Sequence, residues 1–387
     1  MHRPLVTIVT PSFNQGRFIR ATIESVLGQD YPHIEYIIMD GGSTDETAAV
    51  AGEYAGRLTF ISEKDRGQSH AINKGFQMAR GDIVAWLNSD DLILPGAVSR
   101  AVAAFERNPQ IGAVYGEGNL IDFHGNTKMR FPATIPFDLW QLVHVSDYIL
   151  QQTTYFRRAI FDEIGFVDES LNWGMDWDLL VRIGKKYPIE YIPELMGCLR
   201  EHEEAKTSVG GHRRFREIVQ ILRKHGNLRY PPGYILYGLS TYQDLACRLL
   251  PFEFMRAGVR RVAFSLYGQV ISHCQGLYRD GWAGRRLRYM LPPSAGQIRI
   301  TGTLPPWKQL ERQVLTVRLG SSFARQFPVA PGDFAIEVAP PAELAAQAVP
   351  IEISAEKFMR PSRFGRGPDR RALAFQFKSI EWVESAG

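Results

Sequence analysis

One stretch, residues 83–91 with the sequence IVAWLNSDD, constrains the fold more than any other part of the chain. Its first half is a continuous apolar run, which predicts a strand buried on both faces of a parallel sheet. Its second half changes abruptly to small polar residues and two carboxylates, Asp90 and Asp91. Ligands bind beyond the carboxyl ends of strands in open α/β sheets, where adjacent carboxylates can bind a divalent cation and a phosphorylated ligand. The simpler alternative is that Asp90 caps a helix that begins near Pro95, and both roles can coexist.

Three earlier apolar runs, at residues 5–9, 34–39 and 58–62, also end in loops of small polar and charged residues. Helical spacing of apolar residues follows them, so the pattern predicts a doubly wound α/β sheet whose four strand ends form one composite site. A dinucleotide-binding Rossmann domain is the rival interpretation. Its G-x-G-x-x-G loop is absent after the first strand, which favours a metal ion as the group that neutralises the phosphates.

A second candidate centre lies at residues 173–183, where Asp176 and Asp178 precede apolar residues at helical spacing. Both acids therefore fall in the first turn of a predicted helix, where the helix dipole favours negative charge. Each of them can be a helix-start acid with no further role; we prefer that interpretation for Asp178 and a chemical role for Asp176. The ring of Trp173 is either a platform for a sugar or a core aromatic.

The composition is that of an ordinary globular protein. With 387 residues, 45% hydrophobic and 22% charged, the chain is too long for one typical core. Its net charge of +4 gives no argument for a nucleic-acid partner. The three cysteines are far apart and odd in number, which argues against disulfides or a zinc site and favours a reducing cytosol. We expect no secretory signal and no membrane-spanning segment, so any membrane contact is peripheral.

The chain divides into three predicted parts: an α/β catalytic domain at residues 1–210, a basic helical region at residues 211–291 and a small all-β sandwich at residues 292–387. Arginine is frequent between residues 254 and 291, a segment expected to be helical. This surface either contacts an anionic membrane or packs with its arginines in solvent. The sandwich is predicted from short alternating runs separated by glycine and proline, and saccharide binding, oligomerisation and structural support are all open for it.

Together these motifs resemble glycosyltransferase family two, a large inverting group with the GT-A fold. The resemblance covers about residues 4–207 and depends on several motifs in order. They are VTPSFN at residues 9–14, DGGSTD at 40–45, DRG at 65–67 followed by Ala71, Asn73 and Gly75, NSDD at 88–91, Met175-Asp176, and Arg200-Glu201-His202.

The resemblance implies a role for each motif. NSDD takes the place of the D-x-D metal motif, so Mg²⁺ or Mn²⁺ would be bound by Asp90, Asp91 and His202. Asp176 takes the place of the catalytic base. The candidate acceptor contacts are Trp173, Gln152 and Met175. The candidate nucleotide contacts are Thr10, Pro11, Ser12, Asn14, Asp40, Asp65, Asn73, Asn88 and Asp90.

Three positions depart from the family pattern. Gly41 stands where many members have a second aspartate, Asn88 replaces the first acid of D-x-D, and Met175 replaces the usual glutamate. The Q-x-x-R-W signature of processive members is absent, which indicates transfer of a single sugar.

We therefore expect an inverting, metal-dependent transferase that moves one sugar from a nucleotide-diphosphate sugar, in particular a UDP sugar. The expected acceptor is a hydroxyl of a cell-envelope glycan or of a lipid-linked saccharide, and a carboxylate must accept the proton of that hydroxyl. The expected location is the cytoplasm or the inner face of the cell membrane, with no nucleic-acid partner. The rivals are a nucleotide-sugar-binding module that has lost catalysis and a nucleotidyltransferase.

Overall fold

The computed structural model describes residues 3–202, 204–206, 210–226, 231–249, 275–278, 281–291, 296–320, 323–341, 344, 349–364, 369 and 371–383. The chain divides into two compact units. Residues 1–137 together with 146–224 form the first unit, and residues 138–145 together with 225–387 form the second. The predicted domain boundaries at residues 210 and 291 stay predictions.

The helices and strands are numbered in chain order. The helices are α1 (Gly16–Leu27), α2 (Thr47–Gly52), α3 (Gln68–Met78), α4 (Ala97–Arg107), α5 (Leu139–His144), α6 (Phe161–Ile164), α7 (Met175–Gly184), α8 (Gly211–Gly226) and α9 (Pro232–Leu249). The strands of the first unit are β1 (Val6–Ser12), β2 (Ile34–Asp40), β3 (Thr59–Ser62), β4 (Ile83–Trp86), β5 (Leu92–Ile93), β6 (Ala113–Ile121), β7 (Thr127–Arg130), β8 (Tyr155–Arg157) and β9 (Ile189–Arg200). Those of the second unit are β10 (Trp282–Ala283), β11 (Arg286–Leu291), β12 (Gln297–Leu304), β13 (Gln313–Leu319), β14 (Phe323–Val329), β15 (Gly332–Val338), β16 (Val349–Ala355) and β17 (Phe375–Val383).

The first unit contains one mixed sheet with the strand order β3-β2-β1-β4-β8-β6-β9-β5, and β7 pairs with β6. β1 pairs in parallel with β2 and β4, and β2 pairs in parallel with β3. β1 and β4 are buried along their whole length, as expected for strands that helices cover on both faces. The predicted alternation of strands and helices is confirmed in this half of the sheet.

The carboxyl ends of the parallel strands lie at one edge of the sheet. Ser12 is paired with Asp40 across β1 and β2, and Asp40 with Ser62 across β2 and β3. β4 ends beside β1, where the Leu87 N–H donates to the carbonyl of Val9 at 2.9 Å. The NSDD motif therefore starts at this edge.

Helix α1 anchors the loop that carries the motif. The buried hydroxyl of Thr22 lies 2.9 Å from the carbonyl oxygens of both Ser89 and Asp91. The apolar face of α1, which includes Phe18 and Ile19, is buried. The position of the motif is therefore set by the same helix that covers the sheet.

The second unit contains two four-stranded antiparallel sheets, ordered β10-β17-β12-β15 and β11-β16-β13-β14. Half-buried and buried residues alternate strictly along β12, the pattern of a strand with one face on a core. Ile298, Ile300 and Leu304 on its buried face contribute to an apolar cluster of the unit. The prediction of an all-β domain near the end of the chain is confirmed.

The expectation of helix up to residue 291 is wrong at its end, because β10 and β11 are strands that pair with β17 and β16. Of the arginines on which the basic surface was predicted, those at positions 256, 260, 261 and 279 lie outside the described residues. β14 was not predicted; its exposed residues and Pro328 give no alternating pattern. Among the described residues, none of the helices combines the length and the hydropathy needed to cross a bilayer.

Candidate active site

Asp40 at the end of β2 shapes the turn that follows it. Its buried carboxylate accepts hydrogen bonds from the backbone N–H groups of Gly42 at 3.1 Å and Ser43 at 2.9 Å, and from the Ser62 hydroxyl at 2.6 Å. These donors come from the protein itself. The carboxylate predicted to contact a nucleotide therefore stabilises the turn beside the strand ends.

The missing second aspartate of this turn has a spatial counterpart. A Cβ atom at Gly41 would lie 2.8 Å from Oδ2 of Asp65 and 3.3 Å from the ring of Phe13. The Asp65 carboxylate therefore lies where a side chain at position 41 would extend. Phe13 is 60% exposed, so a carboxylate and an exposed ring flank this point.

Two predicted nucleotide contacts have side chains engaged in the protein interior. The hydroxyl of Thr10 lies 3.0 Å from that of Tyr36. Asn73 accepts from the Val167 N–H at 3.1 Å and donates to the Val167 carbonyl at 2.9 Å. These bonds do not support nucleotide contacts through either side chain, because both are buried and already paired.

The other residues of the first loop lie at the same edge. Pro11 and Ser12 are buried in β1, whereas Asn14 is exposed and has a positive φ of 52°. The Asn14 side chain accepts the Thr44 N–H at 2.9 Å, which joins the loops after β1 and β2.

Asp90 and His202 form a hydrogen-bonded pair at the NSDD motif. Oδ2 of Asp90 lies 3.0 Å from Nε2 of His202, and the Asp90 side chain is 21% exposed. The imidazole packs on the ring of Phe18, with the ring centres 5.0 Å apart. The structure therefore brings together these two predicted metal ligands, which lie far apart in the sequence.

Asp91 is buried, and its oxygens accept hydrogen bonds from protein groups. Oδ2 accepts from Gln152 Nε2 at 2.5 Å and Asn88 Nδ2 at 3.1 Å, while Oδ1 accepts from the Arg200 N–H at 2.9 Å. Burial, together with the nearby Asp90 carboxylate, raises the pKa of Asp91 to about 8, and the donated hydrogen bonds oppose this shift. The placement of Asp91 as a metal ligand is therefore corrected to a structural role.

The prediction that Gln152 contacts the acceptor is corrected for the same reason. It is 5% exposed and its amide donates to Asp91, so the side chain does not face an acceptor. Among the residues that the structure describes, no three histidine, cysteine, aspartate or glutamate side chains form a cluster that could bind a metal ion.

The Asp90–His202 pair nevertheless fits a divalent cation. Two ligands at right angles in an octahedral shell with bonds of about 2.1 Å are separated by about 3.0 Å, which is the distance between this carboxylate oxygen and imidazole nitrogen. Oxygen and imidazole ligands suit Mn²⁺, and Mg²⁺ commonly takes its other ligands from phosphates and water.

Arg200, to which the sequence analysis gave no role of its own, holds the backbone of the loop that carries Asp90. Its guanidinium donates to the carbonyls of Asp90 at 2.7 Å and Phe123 at 3.0 Å, and lies over the ring of Phe18 at 5.1 Å. An arginine at the end of a strand, two residues before His202, was a visible signal of this role.

Asp176 lies in the first turn of α7 and is half-buried. Its Oδ1 accepts the Trp177 N–H at 2.8 Å. Burial raises the pKa of Asp176, against the opposing effect of local hydrogen bonds and of the cations Arg214 and Lys206. A carboxyl with this shift is a stronger base than an ordinary aspartate.

Asp147 was missed in the sequence because it lies in an irregular aromatic segment without a motif. Burial raises the pKa of Asp147 well above its ordinary value, and the neighbouring carboxylate of Asp176 adds to the shift. The structure therefore provides a carboxyl pair where the sequence indicated one acid.

The start of α3 contacts both sides of the candidate site. The Gln68 amide donates to Asn88 Oδ1 at 2.7 Å and accepts from the Lys206 ammonium at 2.9 Å. The Ser69 hydroxyl lies 2.8 Å from the sulfur of Met175, the residue before Asp176. One helical turn therefore links the NSDD motif to the start of α7.

Met175 and Trp173 differ in their surroundings. Met175 is 6% exposed and packs on Ser69, so the prediction that it contacts an acceptor is not supported. Trp173 is half-buried, and its indole N–H donates to the Lys206 carbonyl at 3.1 Å.

Comparison with known proteins agrees with these motifs. The family model described as glycosyl transferase family 2 matches residues 7–165. An uncharacterised glycosyltransferase of Mycobacterium tuberculosis is 31% identical over 235 residues, which are 59% of this chain and 87% of that protein. The chain belongs to glycosyl transferase family 2.

Two other relatives match this family 2 glycosyltransferase over only part of its length. An uncharacterised glycosyltransferase of Rickettsia typhi is 27% identical over 54% of this chain and 67% of its own length. The chondroitin synthase of Escherichia coli is 27% identical over 59% of this chain, but the chain spans 34% of that enzyme.

Solved structures are similar at lower identity. The mannosyltransferase PcManGT of Pyrobaculum calidifontis, in complex with GDP-Man and Mn²⁺, is 19% identical with a TM-score of 0.47, over 70% of this chain and 84% of that one. S. aureus TarS 1-349, in complex with UDP-GlcNAc, is 15% identical with a TM-score of 0.45, over 71% and 74%. The family assignment depends on the sequence matches. The mixed sheet with helices and the antiparallel sheets after it are the GT-A-like fold with a β domain that the resemblance implied.

We expect Asp91→Ala to lower the free energy of unfolding by about 3 kcal/mol, because it leaves the buried donors on Gln152, Asn88 and Arg200 without an acceptor. Asp162→Ala, an exposed acid on α6, is the control, with an expected loss of about 0.5 kcal/mol or less. Urea unfolding followed by circular dichroism measures both. Equal losses in the two variants would contradict the structural role of Asp91.

Proposed function

We propose that this family 2 glycosyltransferase is an inverting enzyme that moves a single sugar from a UDP sugar to a hydroxyl of a glycan or lipid-linked acceptor. Asp176 is the general base in this proposal. Asp90 and His202 are the protein ligands of a Mg²⁺ or Mn²⁺ ion. The observation that carries the proposal is the contact of α3 with both Asn88 and Met175, because it links the two candidate centres through one helical turn.

The chemistry needs two opposite electrostatic environments. A bound divalent cation would neutralise the charge that develops on the departing diphosphate. On the acceptor side, the carboxylate of Asp176 accepts the proton of the attacking hydroxyl, and burial favours this transfer by raising the pKa of the base. A single in-line attack by the acceptor inverts the configuration at the anomeric carbon.

Donor recognition is assigned to the turn after β2. The exposed ring of Phe13 and the carboxylate of Asp65 flank Gly41. A flat base can stack on the ring, and a carboxylate can accept the N–H that uracil presents. These features support uridine as the nucleoside of the donor.

The charge of α8 supports the proposed acceptor and its location. Arg213, Arg216 and Arg223 are exposed on α8, which supports contact with an anionic membrane surface or its lipid-linked saccharides. A place in cell-envelope polysaccharide synthesis at the inner face of the membrane is therefore part of the proposal.

The proposal is tested with a panel of nucleotide sugars in the presence of MnCl₂. Release of nucleoside diphosphate from a UDP sugar, accelerated by saccharide acceptors, is the expected result. Release of pyrophosphate would indicate a nucleotidyltransferase. Binding of UDP sugars without any turnover would indicate a binding module.

Asp176→Asn should abolish sugar transfer, because an amide cannot accept the proton of the acceptor. The thermal stabilisation by UDP and Mn²⁺ should stay, since the other side of the cleft is unchanged. Diphosphate release and melting temperature are the measurements. Asp162→Asn, an exposed acid on α6, is the control that keeps full activity. Loss of both transfer and UDP stabilisation in Asp176→Asn would contradict the base assignment.

The raised pKa of Asp176 predicts a pH profile. Activity should fall as the pH decreases through that pKa, so the acid limb of kcat/KM lies above the range near 4 of an ordinary aspartate. The pKa of Asp147 is raised by burial and by the charge of Asp176, so Asp147 still carries its proton when Asp176 ionises. Asp147→Asn replaces this neutral acid by a neutral amide and should therefore leave the acid limb in place. A shift of the acid limb to lower pH in Asp147→Asn would contradict this order of ionisation.

Mn²⁺ should increase the affinity for UDP, and Asp90→Ala should reduce this increase by more than about tenfold, because the cation loses its carboxylate ligand. Binding of UDP without metal should be little changed. Isothermal titration with and without MnCl₂ measures both constants. The metal site is misplaced if the enhancement by Mn²⁺ survives in Asp90→Ala and also in His202→Ala.

A further inference from the structure

Glu217 is a buried acid on α8, 8% exposed and outside the part of the chain that the family model matches. Its carboxylate accepts three successive backbone N–H groups. Oε2 accepts from Asn172 at 2.9 Å, and Oε1 accepts from Trp173 at 2.6 Å and from Gly174 at 2.8 Å. Glu217 thus lies more than forty residues from the groups that it binds.

The three donors precede α7, whose first residue is Met175. Successive N–H groups that point to one place form an anion-binding concavity, and the positive end of a helix dipole adds to it. A carboxylate in this concavity makes charge-assisted hydrogen bonds, which are stronger and more directional than neutral ones. Glu217 therefore fixes the course of the chain as it enters α7.

The same helix also contacts this entry through packing. A Cβ atom at Gly174 would overlap Cδ1 of Ile221, which lies one turn beyond Glu217 on α8. A Cβ atom at Gly210, just before α8, would lie 2.8 Å from the indole nitrogen of Trp173. The segment of residues 172–174 is therefore fixed from two directions.

Asp176 follows Gly174 by two residues and lies in the first turn of the helix that Glu217 orients. Lys206 connects the same groups electrostatically: burial lowers the pKa of its ammonium, and the carboxylates of Asp176 and Glu217 both oppose that shift. The Trp173 indole donates to the carbonyl of this lysine. A change at Glu217 is therefore expected to affect Asp176 and Trp173 more than the NSDD motif.

We propose that Glu217 is a positioning residue that orients Asp176 and Trp173 toward the acceptor by binding the three N–H groups before α7. This inference rests on the proposed function of Asp176. Glu217 itself contacts neither substrate in this proposal. Misplacement of a reacting group by about 1 Å can lower a rate by about 100-fold, so a carboxylate acting at this distance can control kcat.

The test uses full-length Glu217→Ala, Glu217→Gln and the control Gln220→Ala, an exposed position on the same helix. The substrate is whichever nucleotide sugar yields the fastest diphosphate release with wild type. We expect Glu217→Ala to lower kcat by about 10- to 100-fold with the KM for the donor within about twofold. Glu217→Gln keeps the oxygen that binds Trp173 and Gly174, so its kcat should fall by less than about fivefold.

Hydrogen exchange followed by mass spectrometry supplies a readout without substrate. Peptides that cover residues 172–176 should exchange faster in Glu217→Ala, whereas β1 and β4 should be unchanged. Gln220→Ala should match wild type in both measurements. If Glu217→Ala does not fold, Glu217→Gln carries the comparison, with a smaller loss of kcat and faster exchange limited to Asn172.

The inference is overturned if an active wild type and Glu217→Ala have equal kcat. It is also overturned if kcat and the donor KM change together and exchange increases throughout the first unit, since that is the result of general destabilisation. A wild type that releases no diphosphate from any nucleotide sugar overturns the proposed function itself.

Discussion

The buried carboxylate of Asp91 is the interaction on which the geometry of the site depends. A buried carboxyl group must be compensated by hydrogen bonds, and here the donors come from three separate parts of the chain, represented by Asn88, Gln152 and Arg200. The loop after β4, the turn at residues 151–153 and the end of β9 are thereby fixed to one another. Asp90, the preceding residue, stays partly exposed beside His202.

The rest of the site extends from this point through polar contacts. Asn88 accepts a hydrogen bond from Gln68, and Gln68 accepts one from the ammonium of Lys206. The backbone carbonyl of Lys206 accepts the indole N–H of Trp173. These side chains lie on α3, on the segment that follows β9 and on the segment that precedes α7, so the NSDD motif and the start of α7 are linked. A disturbance at either end changes the packing of the same half-buried amide and ammonium groups.

Much of this fold was predictable from sequence because its strands are either fully buried or strictly alternating. β1 and β4 gave continuous apolar runs, and β12 gave a clear period of two. The sequence also placed Asp90 just after a buried strand and Asp176 in the first turn of a helix, which is where the structure has them. Periodicity failed at β14, an edge strand whose exposed residues are free to vary, and at β11, which was read as part of a helix.

The finer roles could not be predicted because they depend on which side of a loop a side chain takes. Asp90 and Asp91 are adjacent and chemically identical, yet the side chain of Asp90 is partly exposed and that of Asp91 is buried. Thr10 and Asn73 likewise sit in the right motifs with their side chains paired inside. Glu217 had no local signal, because a single acid in a basic amphipathic helix is usually a surface charge.

The strict alternation of β12 limits how the second unit can evolve in length. Inserting or deleting one residue within this strand would turn Ile298 and Ile300 away from the interior and bring Arg299 or Thr301 into it. β12 lies between β17 and β15, so such a slip would break both ladders at once. Replacements on its half-buried face keep the pairing intact. Length changes among descendants of this chain are therefore expected in the connections between strands, where register is not at stake.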